Sequence, residues 1–136
     1  TLVLLPFRLY LSQQKVLMNW IFQLLFLSLL LPTDNIYQRG KASYYAASMN
    51  GRRTASGERY SSDSLTAAHA RLPFGTRVQV RNLKNDSVVV LRIIDRMAAS
   101  NSRIIDVSWA AAKKLNFVRD GLANVELRLL DSIPQK

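Results

Sequence analysis

Apolar residues follow two regimes along this chain. From Thr1 to Pro32 they are nearly continuous, whereas from Gly40 onward they alternate with polar residues in short stretches broken by turn formers. The strongest run, Trp20 to Leu31, is interrupted only by Gln23 and Ser28 and carries no charge. It shows no polar face, which argues against a buried amphipathic helix, and it is shorter than the roughly 20 residues of a membrane span. Its length is that of the apolar core of an export signal, and Arg8 and Lys15 precede it as such a signal requires. Leu29-Leu30-Leu31-Pro32 offers no small-x-small cleavage pattern, so a cleaved leader and an uncleaved anchor both stay open. Residues 1–36 are accordingly expected to be a signal peptide or membrane anchor with its linker.

The second regime predicts an all-β domain over residues 37–131, followed by a short tail, 132–136. Lys41 to Ala46 reads as a strand, and Met49 to Asp63, rich in Gly, Ser and Arg, as a long surface loop. Ser64 to Ala70 returns as a strand, Leu72-Pro73-Phe74-Gly75-Thr76 turns the chain, and Arg77-Val78-Gln79-Val80-Arg81 alternates with a period of two. Asn82 to Asp86 makes a hairpin connection into Ser87 to Ile94, whose β-branched residues predict the main core strand. A loop from Arg96 to Arg103, a strand from Ile104 to Val107, a helix from the Ser108 cap to Leu115 and a closing strand within Gly121 to Leu130 complete the pattern. Six short strands and one helix fit a small closed barrel, which leaves no exposed edge.

Composition narrows the functional classes. The 136 residues hold no cysteine, which excludes a thiol nucleophile and a Cys-ligated zinc site within them. A single histidine without neighbouring ligands is a poor metal site, and no Gly-rich phosphate loop is present, so neither metal nor nucleotide cofactor is expected. The net charge is +10, and from Gly40 onward 16 basic face 8 acidic residues. A basic domain favours a polyanionic partner; the export segment and the lack of a basic helix point to an acidic cell-envelope polymer and away from nucleic acid.

The polar residues concentrate in GKASYYAASMNGRRTASGERYSSDSLTAAHA, residues 40–70, and in two charged pairs that bracket β-branched residues, Arg92-Ile93-Ile94-Asp95-Arg96 and Arg103-Ile104-Ile105-Asp106. Ionisable groups this crowded predict a cleft that manages charge. By residue type alone, Asp95 equally suits an ion pair with Arg92 or Arg96, Glu58 a solvated loop position, and His69 a satisfied structural group. Asp106, between Ile105 and Val107, suits a structural role bonding backbone amides at the start of the following helix.

The motifs Gly40-Lys41-Ala42-Ser43-Tyr44-Tyr45, Gly51-Arg52-Arg53-Thr54-Ala55-Ser56-Gly57-Glu58, Leu65-Thr66-Ala67-Ala68-His69, Leu72-Pro73-Phe74-Gly75-Thr76, Val80-Arg81-Asn82-Leu83, Asp95-Arg96 and Arg103-Ile104-Ile105-Asp106-Val107-Ser108 occur in this order. In that order they resemble the rare lipoprotein A (RlpA)-like proteins over about 90 residues. The resemblance implies a six-stranded double-psi β-barrel in an exported, periplasmic or envelope protein acting on peptidoglycan. It implies a lytic transglycosylase that cuts the N-acetylmuramic acid to N-acetylglucosamine linkage of denuded glycan strands and leaves 1,6-anhydromuramoyl ends. The chain departs from the family where Met97-Ala98-Ala99-Ser100 replaces the common Gly-Pro after Asp-Arg, and where Ile94 replaces a frequent Asn.

Carried onto this sequence, the resemblance implies Asp95 as the acid/base, with Glu58 and His69 as catalytic or substrate-orienting partners and Asp63 assisting. Arg52, Arg53 and Arg96 are expected to hold lactyl carboxylates. Tyr44, Tyr45 and Tyr60 are expected to stack on sugars, with strand alternation sending one of Tyr44 and Tyr45 into the core. A monomer is expected, with membrane contact only through the N-terminal segment. A non-catalytic glycan-binding or wall-loosening module of the expansin kind remains the alternative.

Overall fold

The computed structural model describes residues 4–29, 35–99 and 102–131. The chain forms two compact units, 1–34 and 35–136. In the first, α1 runs Leu4–Leu29, with Pro6 to Leu29 all exposed. No helix among the described residues is long and apolar enough to cross a membrane. Leu30 to Pro32, at the end of the apolar run, and the tail 132–136 lie outside the described residues.

The second unit is a closed barrel of β1 (Ile36–Tyr44), β2 (Thr66–His69), β3 (Arg77–Asn82), β4 (Val88–Asp95), β5 (Arg103–Val107) and β6 (Ala123–Leu129), in the order β1-β5-β2-β4-β3-β6. Two of its pairs, β1 with β5 and β2 with β4, are parallel, and the other four are antiparallel. A parallel pair needs a crossover between its strands. One result is that the long loop after β1 passes the C-terminal end of β4, where Ser56 N–H donates to the Ile94 carbonyl. Strand alternation fills the interior: Val78 and Val80, Val89, Leu91 and Ile93, Ile105 and Val107, and Val125 and Leu127 are buried in one core. The helix α2 (Trp109–Lys114) adds Ala111 and Ala112 to that core, with Leu115 and Phe117 following.

Local chemistry sets the ends of these elements. Ser108 caps α2 by accepting from the Ala111 N–H. At its other end the Leu115 carbonyl accepts from Asn82 Nδ2, Asn85 Nδ2 and Ser87 Oγ, which ties the β3–β4 hairpin to the helix. Gly75 sits at φ +87 in the turn closed by Thr76 N–H to the Pro73 carbonyl, a position that favours glycine. Gly40 is required for a different reason, since a Cβ there would stand 2.6 Å from Ile104 Cγ2.

Two boundaries differ from the sequence expectation. β1 runs Ile36–Tyr44 where a strand from Lys41 to Ala46 was expected, and its first residues pair with β6. The loop from Met49 to Asp63 carries a 3-10 turn at Ala47–Met49 before it and an isolated antiparallel bridge between Arg53 and Arg59 within it.

Candidate active site

Strand register sets the site's frame. Ala68 on β2 pairs with Asp95 on β4 and with Asp106 on β5, and Asp106 pairs with Ser43 on β1. Asp95 and Asp106 therefore flank one strand, with backbones about 10 Å apart at the usual strand spacing.

Asp95, at the end of the core strand β4, is half-buried. Its Oδ1 accepts the backbone N–H groups of Ala55 (2.9 Å) and Arg96 (2.8 Å), and its Oδ2 accepts the Tyr45 hydroxyl at 2.6 Å. Burial, and then the Asp95 hydrogen bond, push the Tyr45 hydroxyl well above its ordinary range, so Tyr45 keeps its proton and donates it to this bond. No ion pair to Asp95 occurs among the described residues. Arg92 instead forms a two-pronged pair with Glu58, at 2.5 and 2.9 Å, and Arg96 gives the Asp95 carboxyl its backbone amide, with Nη1 reaching only the Asp95 backbone carbonyl at 3.4 Å. The Arg96 guanidinium lies 3.9 Å over the Phe74 ring, with Nη1 on the His69 carbonyl at 3.3 Å.

The other two predicted catalytic groups are each held by partners within the protein. The hydrogen bond from Arg92 holds the Glu58 carboxyl below its usual range. What the pair does is clamp the loop around residues 54–58 to β4, three residues before Asp95. His69 is 2% exposed, and both ring nitrogens are engaged. Nδ1 accepts the Arg71 and Leu72 amides at 3.1 and 3.0 Å, which leaves the proton on Nε2, where it is donated to Gln38 Oε1 at 3.1 Å. Burial, then the charges of Arg71 and Arg96, push its pKa down to about 4. His69 thus fixes the turn after β2 whose carbonyl receives Arg96.

Asp106 accepts from Ser43 Oγ and pairs with Arg103 Nε at 3.2 Å. It bonds these side chains in place of the helix amides expected for it; Ser108 does the capping. Arg52 and Arg53 are exposed on the loop, with Arg53 Nη1 on the Gly57 carbonyl. Asp63 is exposed as well, its backbone amide donating to Ser61 Oγ.

Tyr44 and Tyr45 divide as alternation requires. Tyr44 packs on the core and donates to the Val118 carbonyl, while Tyr45 turns to Asp95. Tyr60 is 2% exposed, with its ring 4.4 Å from that of Tyr45, so it backs Tyr45 and offers no open face to a sugar. Tyr45 also lines a cavity of about 360 Å³, together with Tyr44, Ala47, Asn50, Ser62 and Trp109 among others. Asn50, Ser62 and Trp109 were not legible as site residues. The one signal was a tryptophan directly after a helix cap, a position the core does not need.

A second charged centre lies on the wall formed by β1, β6 and β3. Glu126, 1% exposed, accepts from Arg39 at 2.9 Å, Arg128 at 2.9 Å and Arg81 at 3.3 Å. Burial opposes its ionisation, but the three guanidiniums prevail and hold its carboxyl below the usual range.

The family model described as lytic transglycolase matches residues 37–127. The probable endolytic peptidoglycan transglycosylase RlpA of Aquifex aeolicus is 46% identical over 94 residues, covering 69% of this chain and 42% of that protein. The endolytic peptidoglycan transglycosylase RlpA of Neisseria meningitidis is 48% identical over 90 residues, 66% of this chain and 38% of that protein. The chain thus spans less than half the length of these curated relatives. Among solved structures, a Streptomyces papain inhibitor superposes with TM-score 0.55 at 22% identity, over 71% of this chain and 97% of its own. A Clavibacter michiganensis expansin in complex with cellohexaose gives TM-score 0.55 at 15% identity, over 72% and 52%. These structural likenesses establish the fold; with the family model and the sequence identities, they show that the chain belongs to the RlpA-like lytic transglycolase family of double-psi β-barrels.

Proposed function

We propose that the protein is an endolytic peptidoglycan lytic transglycosylase that cleaves the N-acetylmuramic acid to N-acetylglucosamine bond, forms 1,6-anhydromuramoyl ends and prefers strands stripped of peptides. One observation carries this reading: Glu58 is held by Arg92 and Asp106 by Arg103 and Ser43, Asp63 is exposed on the loop, and Asp95 is the half-buried carboxyl that pairs with no guanidinium among the described residues. A hydrolase of the common kind needs two working carboxyl groups. A transglycosylase needs one, because the sugar's own C6 hydroxyl attacks.

Asp95 Oδ1 takes both backbone amides, so Oδ2 is the oxygen for proton traffic. The protonated carboxyl gives its Oδ2 proton to the glycosidic oxygen as the C1–O bond breaks. The C6 hydroxyl then bonds C1 and returns its proton to Oδ2, so the carboxyl is regenerated and no water is consumed. Tyr45 holds Oδ2 in place, and the Glu58–Arg92 pair holds the loop that supplies the Ala55 amide. The basic surface suits an anionic wall polymer, and Arg52 and Arg53 stand exposed for lactyl carboxylates. The apolar run behind Arg8 and Lys15 supports export to the envelope, where the barrel works as a monomer.

The test is digestion of purified sacculi and of peptide-free glycan with mass detection of anhydro-ended products. Asp95→Asn keeps the shape and removes the transferable proton, so product formation is expected to fall by about 100-fold or more while glycan binding persists. Release at the wild-type rate by Asp95→Asn would remove Asp95 from the chemistry. The three donors already on Asp95 are the one feature that favours a non-catalytic glycan-binding module, and a wild type that binds glycan without product would establish that reading.

A further inference from the structure

Trp109 is the first residue of α2, and its ring is held without being buried. Its backbone N–H donates to the Tyr60 hydroxyl at 3.2 Å, and its ring meets Tyr44 edge-on, with centroids 5.6 Å apart and planes at 73°. It nonetheless stays 38% exposed, on the cavity that Tyr45 shares. An oriented indole in a partly apolar cavity is a surface for the C–H face of a pyranose.

Asn50, in the same cavity, adds a polar address. Its Oδ1 accepts the Ser62 amide at 2.9 Å, which fixes the side chain, and its Nδ2 donates to nothing among the described residues. A pinned amide donor beside the methyl of Ala47 matches an acetamido group, with Nδ2 for the carbonyl and the alanine for the methyl. Tyr45 joins the cavity to the chemistry, its ring lining one and its hydroxyl bonding Asp95 at 2.6 Å. From this juxtaposition we propose that Trp109 and Asn50 form an N-acetylhexosamine subsite joined to Asp95 through Tyr45, in which the indole carries the sugar ring and Asn50 selects for the acetamido group. The proposal rests on the glycan-cleaving reading above, and its test reads binding apart from turnover.

This 136-residue chain has two tryptophans, so in its Trp20→Phe variant Trp109 is the sole tryptophan reporter. Titration with the β-1,4-linked N-acetylglucosamine tetramer is expected to change its emission saturably, with cellotetraose binding about tenfold more weakly. Asn50→Ala should abolish most of that preference, the size expected for one directed hydrogen bond. On peptide-free glycan, Trp109→Ala should raise KM about tenfold with kcat within about twofold, and Trp109→Phe should restore most of the loss. Emission that ignores the tetramer, equal binding of the two tetramers, or a Trp109→Ala variant that loses kcat at unchanged KM would each overturn the subsite. Saturable tetramer binding without any anhydro product would uphold the subsite and retire the transglycosylase. Product formation with a silent Trp109 would do the reverse.

Discussion

His69 makes the stability of the barrel depend on pH between 4 and 7. Its imidazole is neutral, 2% exposed and bonded at both nitrogens, and its pKa is pushed down to about 4 from the ordinary 6.5. Between those values the unfolded chain binds a proton that the folded one refuses, so stability is full above pH 6.5 and is lost as the pH falls toward 4. Integrating the linkage from 7 down gives a loss from this one group of about 2 kcal/mol at pH 5 and about 3 kcal/mol at pH 4. Asn in its place keeps an oxygen for the Arg71 and Leu72 amides and cannot titrate. Urea unfolding of the wild type and of His69→Asn at pH 7, 6 and 5 checks this, because Glu58, Glu126 and Asp131 titrate alike in both proteins. The variant is expected to be the less stable at pH 7, with the gap narrowing by about 2 kcal/mol at pH 5. Two curves that stay parallel across this range would refute the buried neutral imidazole.

Gly40→Ala places a Cβ 2.6 Å from Ile104 Cγ2 and 3.1 Å from the Ser102 carbonyl oxygen, both on the neighbouring β5 side. Overpacking of this kind costs about 1–3 kcal/mol, which a thermal melt reads as a clear drop in Tm. Asn82→Ala leaves the Lys84 amide without its Oδ1 partner and removes the Nδ2 donor from the Leu115 carbonyl, in a residue that is 1% exposed. A loss of about 1–3 kcal/mol in urea unfolding is expected, with anhydro-product formation at low denaturant unchanged, since the hairpin does not touch the site.

Much of the barrel was written in local pattern. The period-two stretch from Arg77 to Arg81 is β3, the β-branched run before Asp95 is the core strand β4, and Ser108 caps α2 as its position predicted. In each case the information lies within a few residues, because alternation and capping depend only on near neighbours. Residues 36–39 carry no such pattern. They are strand because β6 lies beside them and supplies their hydrogen bonds.

The same distinction separates the site's residues from their roles. The ordered motifs marked Asp95, Glu58, His69 and the tyrosines as a group, and the barrel gathers Asp95 and Tyr45 through residues 50 positions apart. What each one touches followed only from the fold: Arg92 grips Glu58, Gln38 and two amides hold His69, and Tyr60 backs Tyr45. Glu126 is the plainest case. Alternation between Val125 and Leu127 reads it as a solvent-facing strand residue, yet arginines from β1 and β3, with Arg128 of its own strand, close over it. A protonation state or a hydrogen-bond partner is a property of whatever the register brings across the sheet, and the chain on either side of the residue does not encode it.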